Sequence, residues 1–292
     1  MQTNAMSERS FTTPSGTIHY WVSLISPEAP REIPCEAPHE MPHKALPWLV
    51  FLPGLTANHR LFEKQIDHFA GQANLLVWDP PSHGASRPFS LSWTMDDLAI
   101  WLHDILEQEH VKRPILIGQS MGGYTAQVFM ELYPGEAAGF ISIDSCPLKR
   151  SYYSWWELAA LRHTKLMYLS IPWKTLVNLG SNGNSTTQYG HDLMRTMMLD
   201  YKKREYCELA AHGFRVLSDA VEADHPYEIT CPYLVICGEE DRAGSAKRYN
   251  RAWAEREDAP VHWIPNAGHN SNCDAPEAIN TLIEEFLQDL ST

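Results

Sequence analysis

A serine between two glycines is the residue in this sequence best placed for nucleophilic chemistry. Ser120 lies in the segment Gly-Gln-Ser-Met-Gly, between Gly118 and Gly122, after an apolar run and before a helical pattern. A sharp strand-to-helix turn forces its central residue into a strained conformation, and glycines two positions away let strand and helix approach each other. The serine oxygen then stands free, and the N-terminus of the following helix favours a developing negative charge. The segment therefore predicts a nucleophilic serine.

A free serine hydroxyl is a weak nucleophile, so Ser120 needs a neutral histidine as its base and a carboxylate to orient that histidine. The chain has fourteen histidines. Most of them lie in a proline-rich stretch, on helical faces or in a helical block in the second half of the chain. His59, His83 and His269 lie instead in predicted loops that could approach the serine. The pattern of residues alone leaves these three open as the base.

Short apolar runs alternate with helical patterns from residue 48 onward. One of these patterns, over residues 92–110, predicts a long amphipathic helix with Trp93, Leu98, Trp101, Leu102, Ile105 and Leu106 on one face. This alternation predicts a mostly parallel sheet, buried on both faces by helices. The runs that we interpret as strands are residues 48–54, 74–79, 114–118, 139–144, 232–238 and 261–265.

The alternation stops between residue 147 and about residue 226, where helical patterns occur without a convincing strand. A block of helices inserted into a parallel sheet predicts a cap or lid. We therefore expect an α/β core of residues 1–146 and 227–292 and a helical cap of residues 147–226. The cap is rich in side chains that suit an adaptable apolar pocket or the cap's own core: Tyr152, Tyr153, Trp155, Trp156, Tyr168, Trp173, Met194, Met197 and Met198.

Two further segments precede this alternation. Residues 11–25 alternate around a Ser-Gly turn, which predicts a β-hairpin. Residues 26–47 contain six prolines, and proline fixes φ and removes a backbone donor. We expect this proline-rich segment to form a long surface excursion between the second and third strands.

Composition restricts the partners and cofactors. The net charge of −13 argues against binding to nucleic acid or to an anionic membrane surface. The six cysteines form no zinc-binding spacing, and neither Gly-x-Gly-x-x-Gly nor His-Glu-x-x-His is present, so we expect no metal and no organic cofactor. No apolar run approaches the ~20 residues of a membrane span, and the N-terminus lacks an apolar signal region. These features together predict a soluble, cytoplasmic protein, in an oligomeric state that the sequence leaves open.

Beyond these patterns, the sequence resembles the α/β-hydrolase fold family over nearly its whole length. The segment around Ser120 resembles the family's nucleophile turn. Residues 49–58 resemble the oxyanion loop after the third strand, with Pro53-Gly54 where the family usually has His-Gly. Residues 75–88 resemble the turn after the fourth strand, where the family's aspartate and serine are structural. Asp79 and Ser86 match those two positions, while Ser82 stands where a glycine is common.

Two later segments complete the resemblance. Residues 233–244 resemble the family's acid loop, with Asp241 at the acid position, and His269 follows Gly268 in the loop that presents the catalytic histidine. The chain order Ser…Asp…His agrees with that of the family. The resemblance implies Ser120 as nucleophile, Asp241 as acid and His269 as base, with the backbone N–H groups of Leu55 and Met121 forming the oxyanion hole.

Other carboxylates compete for the acid position. Asp144 follows the predicted strand 139–144, and some members of the fold place the acid after that strand. Glu239 and Glu240 are close to Asp241 in sequence but lie off the family's acid position. Asp144 remains the main alternative to Asp241.

The resemblance implies hydrolysis of a small or medium-sized, partly apolar carboxylic ester through an acyl-serine intermediate. The same residues also serve carbon–carbon bond hydrolases, thioesterases, amidases and cyanohydrin lyases, and some relatives only bind ligands. Nothing in the sequence separates these activities. Ser120 disfavours haloalkane dehalogenases and epoxide hydrolases, which need an aspartate at this turn. Met121 disfavours proline iminopeptidases, for which we expect a tryptophan.

Overall fold

The structure is a computed structural model that describes residues 6–25, 46–226, 228–257, 259 and 261–291. Within these ranges, eight strands form one sheet in the order β1-β2-β4-β3-β5-β6-β7-β8. The pairs β1–β2 and β2–β4 are antiparallel, and all other neighbours are parallel. The strands are β1 Ser7–Thr13, β2 Gly16–Ser23, β3 Trp48–Leu52, β4 Asn74–Trp78, β5 Ile115–Gln119, β6 Gly139–Ile143, β7 Tyr233–Gly238 and β8 Val261–Ile264.

Helices cover both faces of this sheet, as the alternation predicted. Neighbouring residues of a strand belong to opposite cores, so that Val50 packs beneath α2 and α3, whereas Phe51 packs beneath α1 and α11. The helices are α1 Glu63–Phe69, α2 Met95–Gln108, α3 Met121–Leu132, α4 Trp155–Arg162, α5 Thr164–Ser170, α6 Trp173–Asn184, α7 Gln188–Leu199, α8 Lys203–Ala223, α9 Ala246–Glu257, α10 Ser271–Asp274 and α11 Pro276–Asp289. Short 3₁₀ turns occupy His59–Phe62 and Arg150–Tyr152.

The predicted amphipathic helix is α2, and it begins at a capping box. The Thr94 hydroxyl accepts from the Asp97 N–H at 3.1 Å, and the Asp97 carboxylate accepts from the Thr94 N–H at 2.8 Å. Such a box satisfies donors that the first helical turn leaves without partners. The predicted apolar face is buried, except that Trp101 is only partly covered.

The predicted N-terminal hairpin is present, but its first strand is longer than expected. β1 begins at Ser7, and the turn is formed by Pro14 and Ser15, with Gly16 as the first residue of β2. The polar sequence Ser-Glu-Arg-Ser at the start of β1 gives no apolar alternation, because these side chains are exposed at the edge of the sheet. Of the predicted proline-rich excursion over residues 26–47, residues 26–45 lie outside the described residues.

The expected helical insertion lies between β6 and β7 and comprises α4 to α8. α8 packs along α4 and α5, where the Ser218 hydroxyl donates to the Leu158 carbonyl at 3.1 Å. α8 also approaches the loop after β3: a Cβ at Gly213 would lie 2.3 Å from the Leu55 side chain. The insertion is therefore packed directly on a loop at the carboxyl edge of the sheet. No helix in the described ranges is long and apolar enough to cross a membrane.

Candidate active site

Ser120 occupies the strained turn between β5 and α3 that its sequence context predicts. Its backbone has φ 50° and ψ −117°, a region that residues other than glycine rarely adopt. The turn is tight on both sides, since a Cβ at Gly118 would lie 2.4 Å from the Gly123 nitrogen and one at Gly122 would lie 1.8 Å from the Leu52 oxygen. Only glycine fits at these two positions, so the flanking glycines permit the geometry that presents Ser120.

His269 links the serine to an aspartate. Its Nε2 lies 2.9 Å from Ser120 Oγ, and its Nδ1 lies 2.9 Å from Asp241 Oδ2. The Asp241 side chain is fully buried, and the imidazole is 14% exposed. When Nδ1 donates its proton to Asp241, Nε2 is left as the acceptor for the Ser120 hydroxyl. The structure thus brings together the three residues that the resemblance selected.

Asp241 is held in place by the backbone of its own loop. Its Oδ1 accepts a hydrogen bond of 2.7 Å from the Ala243 N–H, which leaves Oδ2 for the histidine. This loop directly follows β7, so the C-terminal end of that strand determines the position of Asp241. Neighbouring Glu239 and Glu240 are exposed. Neither glutamate therefore competes for the buried position beside His269.

The charge of Asp241 decides the protonation behaviour of His269. Burial of the imidazole acts to lower its pKa, because desolvation disfavours the cation. The negative charge and hydrogen bond of Asp241, with a smaller contribution from Asp144, outweigh burial, and the pKa of His269 is raised above its ordinary value. The site consequently stabilises an imidazolium, the form that appears after a histidine takes a proton from serine.

Asp144, the alternative acid, has its two oxygens bonded to two different loops. Its Oδ1 accepts from the Gly238 N–H and its Oδ2 from the Ser271 N–H, both at 2.8 Å. Burial, together with the nearby charge of Asp241, raises the pKa of this carboxyl. Asp144 therefore joins the loop that carries Asp241 to the loop that carries His269, while Asp241 accepts the hydrogen bond of the imidazole.

The two rival histidines are engaged elsewhere. His59 Nδ1 lies 2.8 Å from Asp79 Oδ1, and its ring packs against Trp21 at a tilt of 33°, with centroids 3.7 Å apart. His83 is fully buried, its Nδ1 lies 2.9 Å from the Pro81 oxygen, and burial lowers its pKa to about 4. Both histidines thus contact residues of the turn after β4 and not Ser120.

Asp79 and Ser86 hold that same turn together, as the resemblance implied. Asp79 Oδ2 accepts from the Ala85 N–H at 2.6 Å, and the Ser86 hydroxyl donates to the Asp79 carbonyl at 2.7 Å. Ser86 Oγ also accepts from the His19 N–H of β2 at 2.8 Å. These contacts tie the turn to the neighbouring antiparallel strand.

The two expected oxyanion donors lie next to the serine. Met121 is the first residue of α3, where a backbone N–H has no acceptor within the helix. Leu55 follows Gly54, at which a Cβ would lie 3.1 Å from the Ser120 Cβ. The loop after β3 therefore passes directly beside Ser120, and Leu55 is the residue that follows this close approach.

Three buried groups near the histidine have a separation that could suit a metal ion. Ligand atoms of Asp144, Cys237 and Asp241 lie within 4.8 Å of one another. However, the carboxylates accept hydrogen bonds from Gly238, Ser271, Ala243 and His269, and burial raises the pKa of the Cys237 thiol well above its usual range. Because a thiol binds metal as thiolate, this donor set is poorly suited to an ion.

The aromatic residues of the insertion do not behave as one group. Tyr152 and Tyr153 are buried, but Trp155 and Trp156 are 73% and 54% exposed. These two tryptophans are therefore not part of the core of the insertion. Two cavities, of about 230 and 380 Å³, lie away from Ser120: one between α2, α3 and α8, the other near Asp79 and Arg87.

Sequence reasoning missed two residues that support the site. Gln119, within the motif itself, donates from Nε2 to the His269 carbonyl at 2.7 Å and to Asn270 Oδ1 at 3.2 Å. Asp274 accepts from the N–H of Gly268, the residue before His269, at 2.9 Å. The only sequence signal for either residue is proximity to Ser120 or His269, and proximity does not identify the bonded partners.

Comparisons with known proteins identify relatives of this chain. A 2-succinyl-6-hydroxy-2,4-cyclohexadiene-1-carboxylate synthase of Klebsiella pneumoniae is 25% identical over 253 residues, which cover 82% of this chain and 94% of the synthase. A 2-(acetamidomethylene)succinate hydrolase of Mesorhizobium japonicum is 22% identical over 255 residues, covering 82% of this chain and 88% of the hydrolase.

Among solved structures, a thermophilic esterase of Thermogutta terrifontis superposes with a TM-score of 0.73 at 18% identity, covering 99% of this chain and all of the esterase. That likeness shows a shared fold. The model of the alpha/beta hydrolase family matches residues 49–282, from β3 into the last helix. The chain belongs to the alpha/beta hydrolase family and is an enzyme of the hydrolase class.

Proposed function

We propose that the protein hydrolyses a carboxylic ester through an acyl-enzyme on Ser120, with His269 as base and Asp241 as the orienting acid. The observation that carries this proposal is the position of the imidazole, 2.9 Å from Ser120 Oγ on one side and 2.9 Å from Asp241 Oδ2 on the other. Both distances are within the range at which a base and its orienting group act.

In the first half of the reaction, Ser120 Oγ attacks the ester carbonyl carbon while His269 Nε2 takes the hydroxyl proton. The resulting imidazolium is stabilised by Asp241, which raises the pKa of His269 against the effect of burial. The tetrahedral intermediate collapses, the bond to the alkoxy oxygen breaks, and His269 returns the proton to the leaving alcohol. Ser120 then carries the acyl group as an ester.

In the second half, water replaces the alcohol. His269 takes a proton from this water as its oxygen attacks the acyl carbon, and the second intermediate collapses when the proton passes to Ser120 Oγ. Backbone N–H groups of Leu55 and Met121 are the proposed donors to both oxyanions. Loss of one such donor in a comparable site costs roughly 10²–10³ in rate. Alanine substitution at either residue leaves its N–H in place, so those variants do not test this part.

We further propose that residues 147–226 act as a cap over the substrate, separate from the core of residues 1–146 and 227–292. The contact of α8 with the Leu55 side chain supports this, because it brings the insertion against the loop after β3, which runs beside Ser120. The expected substrate is a small molecule with a partly apolar acyl or alcohol portion. A cytoplasmic location stays a prediction, for which the free state of the five described cysteines is the supporting observation.

Turnover of a series of p-nitrophenyl esters from acetate to dodecanoate tests this function. We expect wild type to hydrolyse part of the series, with rates that depend on chain length. Ser120→Ala should lower kcat by about 10⁴-fold or more, as removal of a triad nucleophile does. Folded wild type that cleaves none of these esters would count against ester hydrolysis.

The names of the relatives favour a second candidate, in which the same residues act on a carboxylated small molecule without ester hydrolysis. The Klebsiella relative is named as the synthase of a cyclohexadiene carboxylate, and the Mesorhizobium relative as the hydrolase of 2-(acetamidomethylene)succinate. Covalent capture of Ser120 by a fluorophosphonate without turnover of any ester would favour this candidate.

A further inference from the structure

The loop that carries His269 is bonded to the helical insertion on both sides of the histidine. On the C-terminal side, the Asn270 N–H donates to the carbonyl of Asn184, the last residue of α6, at 2.8 Å. On the N-terminal side, the Thr186 hydroxyl donates to the Asn266 carbonyl at 2.5 Å. The α6–α7 connection, defined as residues 184–187, therefore lies along the segment that presents the imidazole.

The carboxylate of Asp274 is the centre of this contact. Its Oδ2 accepts from the Gly268 N–H and from the Thr186 N–H, each at 2.9 Å. Its Oδ1 accepts from the Thr187 N–H at 3.0 Å and from the Thr187 hydroxyl at 2.7 Å. Hydrogen bonds to a carboxylate are stronger than neutral ones. One side chain thus ties the residue before His269 to two residues of the insertion.

The backbone of the His269 loop also packs directly against the backbone of the α6–α7 connection. A Cβ at Gly268 would lie 3.0 Å from the Asn184 oxygen and 3.1 Å from the Ser185 Cα, so a side chain at this position would push the α6–α7 connection away. Glycine at 268 therefore allows the insertion to approach the histidine loop closely. This approach is what lets a single carboxylate reach both segments.

The contact extends to the residue next to the nucleophile. The side chain of Asn270 donates to Ser185 Oγ at 3.3 Å and accepts from Gln119 Nε2 at 3.2 Å. Gln119 also donates to the His269 carbonyl at 2.7 Å. A continuous set of hydrogen bonds therefore runs from the insertion, through the histidine loop, to the residue before Ser120.

We propose that Asp274 is a positioning residue that acts together with the α6–α7 connection to hold His269 in line with Ser120 and Asp241. The insertion then orients the base in addition to any role in covering the substrate. The proposal rests on the proposed function of His269 as base. A catalytic group must be held to within about 0.5 Å, and a misplacement of about 1 Å costs roughly 10²-fold in rate.

Matched variants distinguish loss of the hydrogen bonds to Asp274 from other effects of changing a side chain. Thr187→Val removes the hydroxyl that donates to Asp274, whereas Thr187→Ser retains it. Asp274→Asn replaces the acceptor Oδ1 or Oδ2 by an NH₂ group that faces N–H donors. Asp192→Asn, an exposed substitution on α7, is the control for charge removal on the insertion. All variants are first checked for the fold by circular dichroism at the assay temperature.

The kinetic test measures kcat and KM of each variant separately, with the p-nitrophenyl ester that wild type hydrolyses best. For Asp274→Asn we expect kcat to fall roughly 10- to 100-fold with KM changed less than about threefold, because misorientation of a base removes an interaction made in the transition state. Thr187→Val should lower kcat by about tenfold, while Thr187→Ser and Asp192→Asn stay close to wild type. Equal kcat in folded Asp274→Asn and wild type would overturn the proposal.

The imidazole itself supplies a second readout that needs no substrate. Spectra of ¹⁵N-histidine-labelled protein report the tautomer and pKa of His269, with His269→Gln used for assignment. In Asp274→Asn and Thr187→Val the pKa of His269 should move down toward its ordinary value, since a displaced ring loses part of its contact with Asp241. An unchanged His269 signal and pKa in folded Asp274→Asn would overturn the positioning role. Absence of ester turnover in wild type, with these shifts present, would count only against the proposed function.

Discussion

Asp144 and Ser271 are 127 residues apart in the chain, yet the Asp144 carboxylate accepts the Ser271 N–H at 2.8 Å. The other oxygen of Asp144 accepts the Gly238 N–H at the end of β7. Asp241 follows that strand, and His269 precedes Ser271 by two residues. One buried carboxylate at the end of β6 therefore sets the separation of the two loops from which Asp241 and His269 approach each other.

Asp144→Asn should lower both the stability of the protein and its catalytic rate. An amide can accept only one of the two N–H groups and turns its own NH₂ toward the other, and an unsatisfied buried polar group costs about 1–3 kcal/mol. We expect the free energy of unfolding in urea to fall by about this amount and kcat to fall as well. The exposed substitution Asp104→Asn on α2 serves as the control. Unfolding curves of Asp144→Asn that coincide with wild type would contradict the role assigned to this carboxylate.

The pH dependence of kcat/KM should report the raised pKa of His269. Only the neutral imidazole accepts the serine proton, so activity should rise with pH through a midpoint above the ordinary histidine value of about 6.5. In Asp241→Asn the attraction that holds the proton is lost, so this midpoint should move to lower pH. The maximum rate should also fall, by roughly 10³- to 10⁴-fold, because the tautomer is no longer fixed.

A pH series of stopped assays on wild type and Asp241→Asn measures both effects. A midpoint that stays in place in Asp241→Asn would mean that a different group titrates, and would remove Asp241 from its assigned role. Asp144→Asn is a useful companion, because Asp144 contributes less to the raised pKa of His269 than Asp241 does.

Gly122→Ala should be strongly destabilising. The added Cβ would lie 1.8 Å from the Leu52 oxygen of the neighbouring strand, so α3 and β3 would have to separate. Overpacking of this kind typically costs about 1–3 kcal/mol, and more where backbone must move. Gly183→Ala on α6 is the matched control, since nothing lies within 4 Å of its added Cβ. A thermal midpoint of Gly122→Ala equal to that of Gly183→Ala would contradict the tight turn around Ser120.

The parts of the fold that the sequence predicts are those with local or periodic signals. Buried parallel strands give continuous apolar runs, so β3 to β7 are visible as such, and α2 is visible from its apolar face and its Thr94 cap. The turn at Ser120 is visible because only glycines at 118 and 122 allow it. The order of the motifs then places Asp241 and His269 after the correct strands.

The parts that the sequence does not predict depend on contacts between distant segments. Asp144 and Asp241 both follow strands of the same sheet, and only the structure shows which carboxylate faces His269 Nδ1. The bonds of Asp274 to Thr186 and Thr187 join residues with no periodic relationship, so no pattern indicates them. The exposure of Trp155 and Trp156 is equally hidden, because aromatic type alone does not fix which face of α4 is covered.

The most direct test of the central claim is covalent capture by a fluorophosphonate probe, read by intact-protein mass and by the mass of the labelled peptide. The account predicts one adduct per chain on Ser120 in wild type, none in Ser120→Ala, and labelling slowed by about 10²-fold or more in His269→Ala, because only a serine activated by its base reacts quickly. Folded wild type that stays unlabelled, or Ser120→Ala that labels as fast as wild type, would contradict the claim that Ser120 and His269 form a reactive nucleophile.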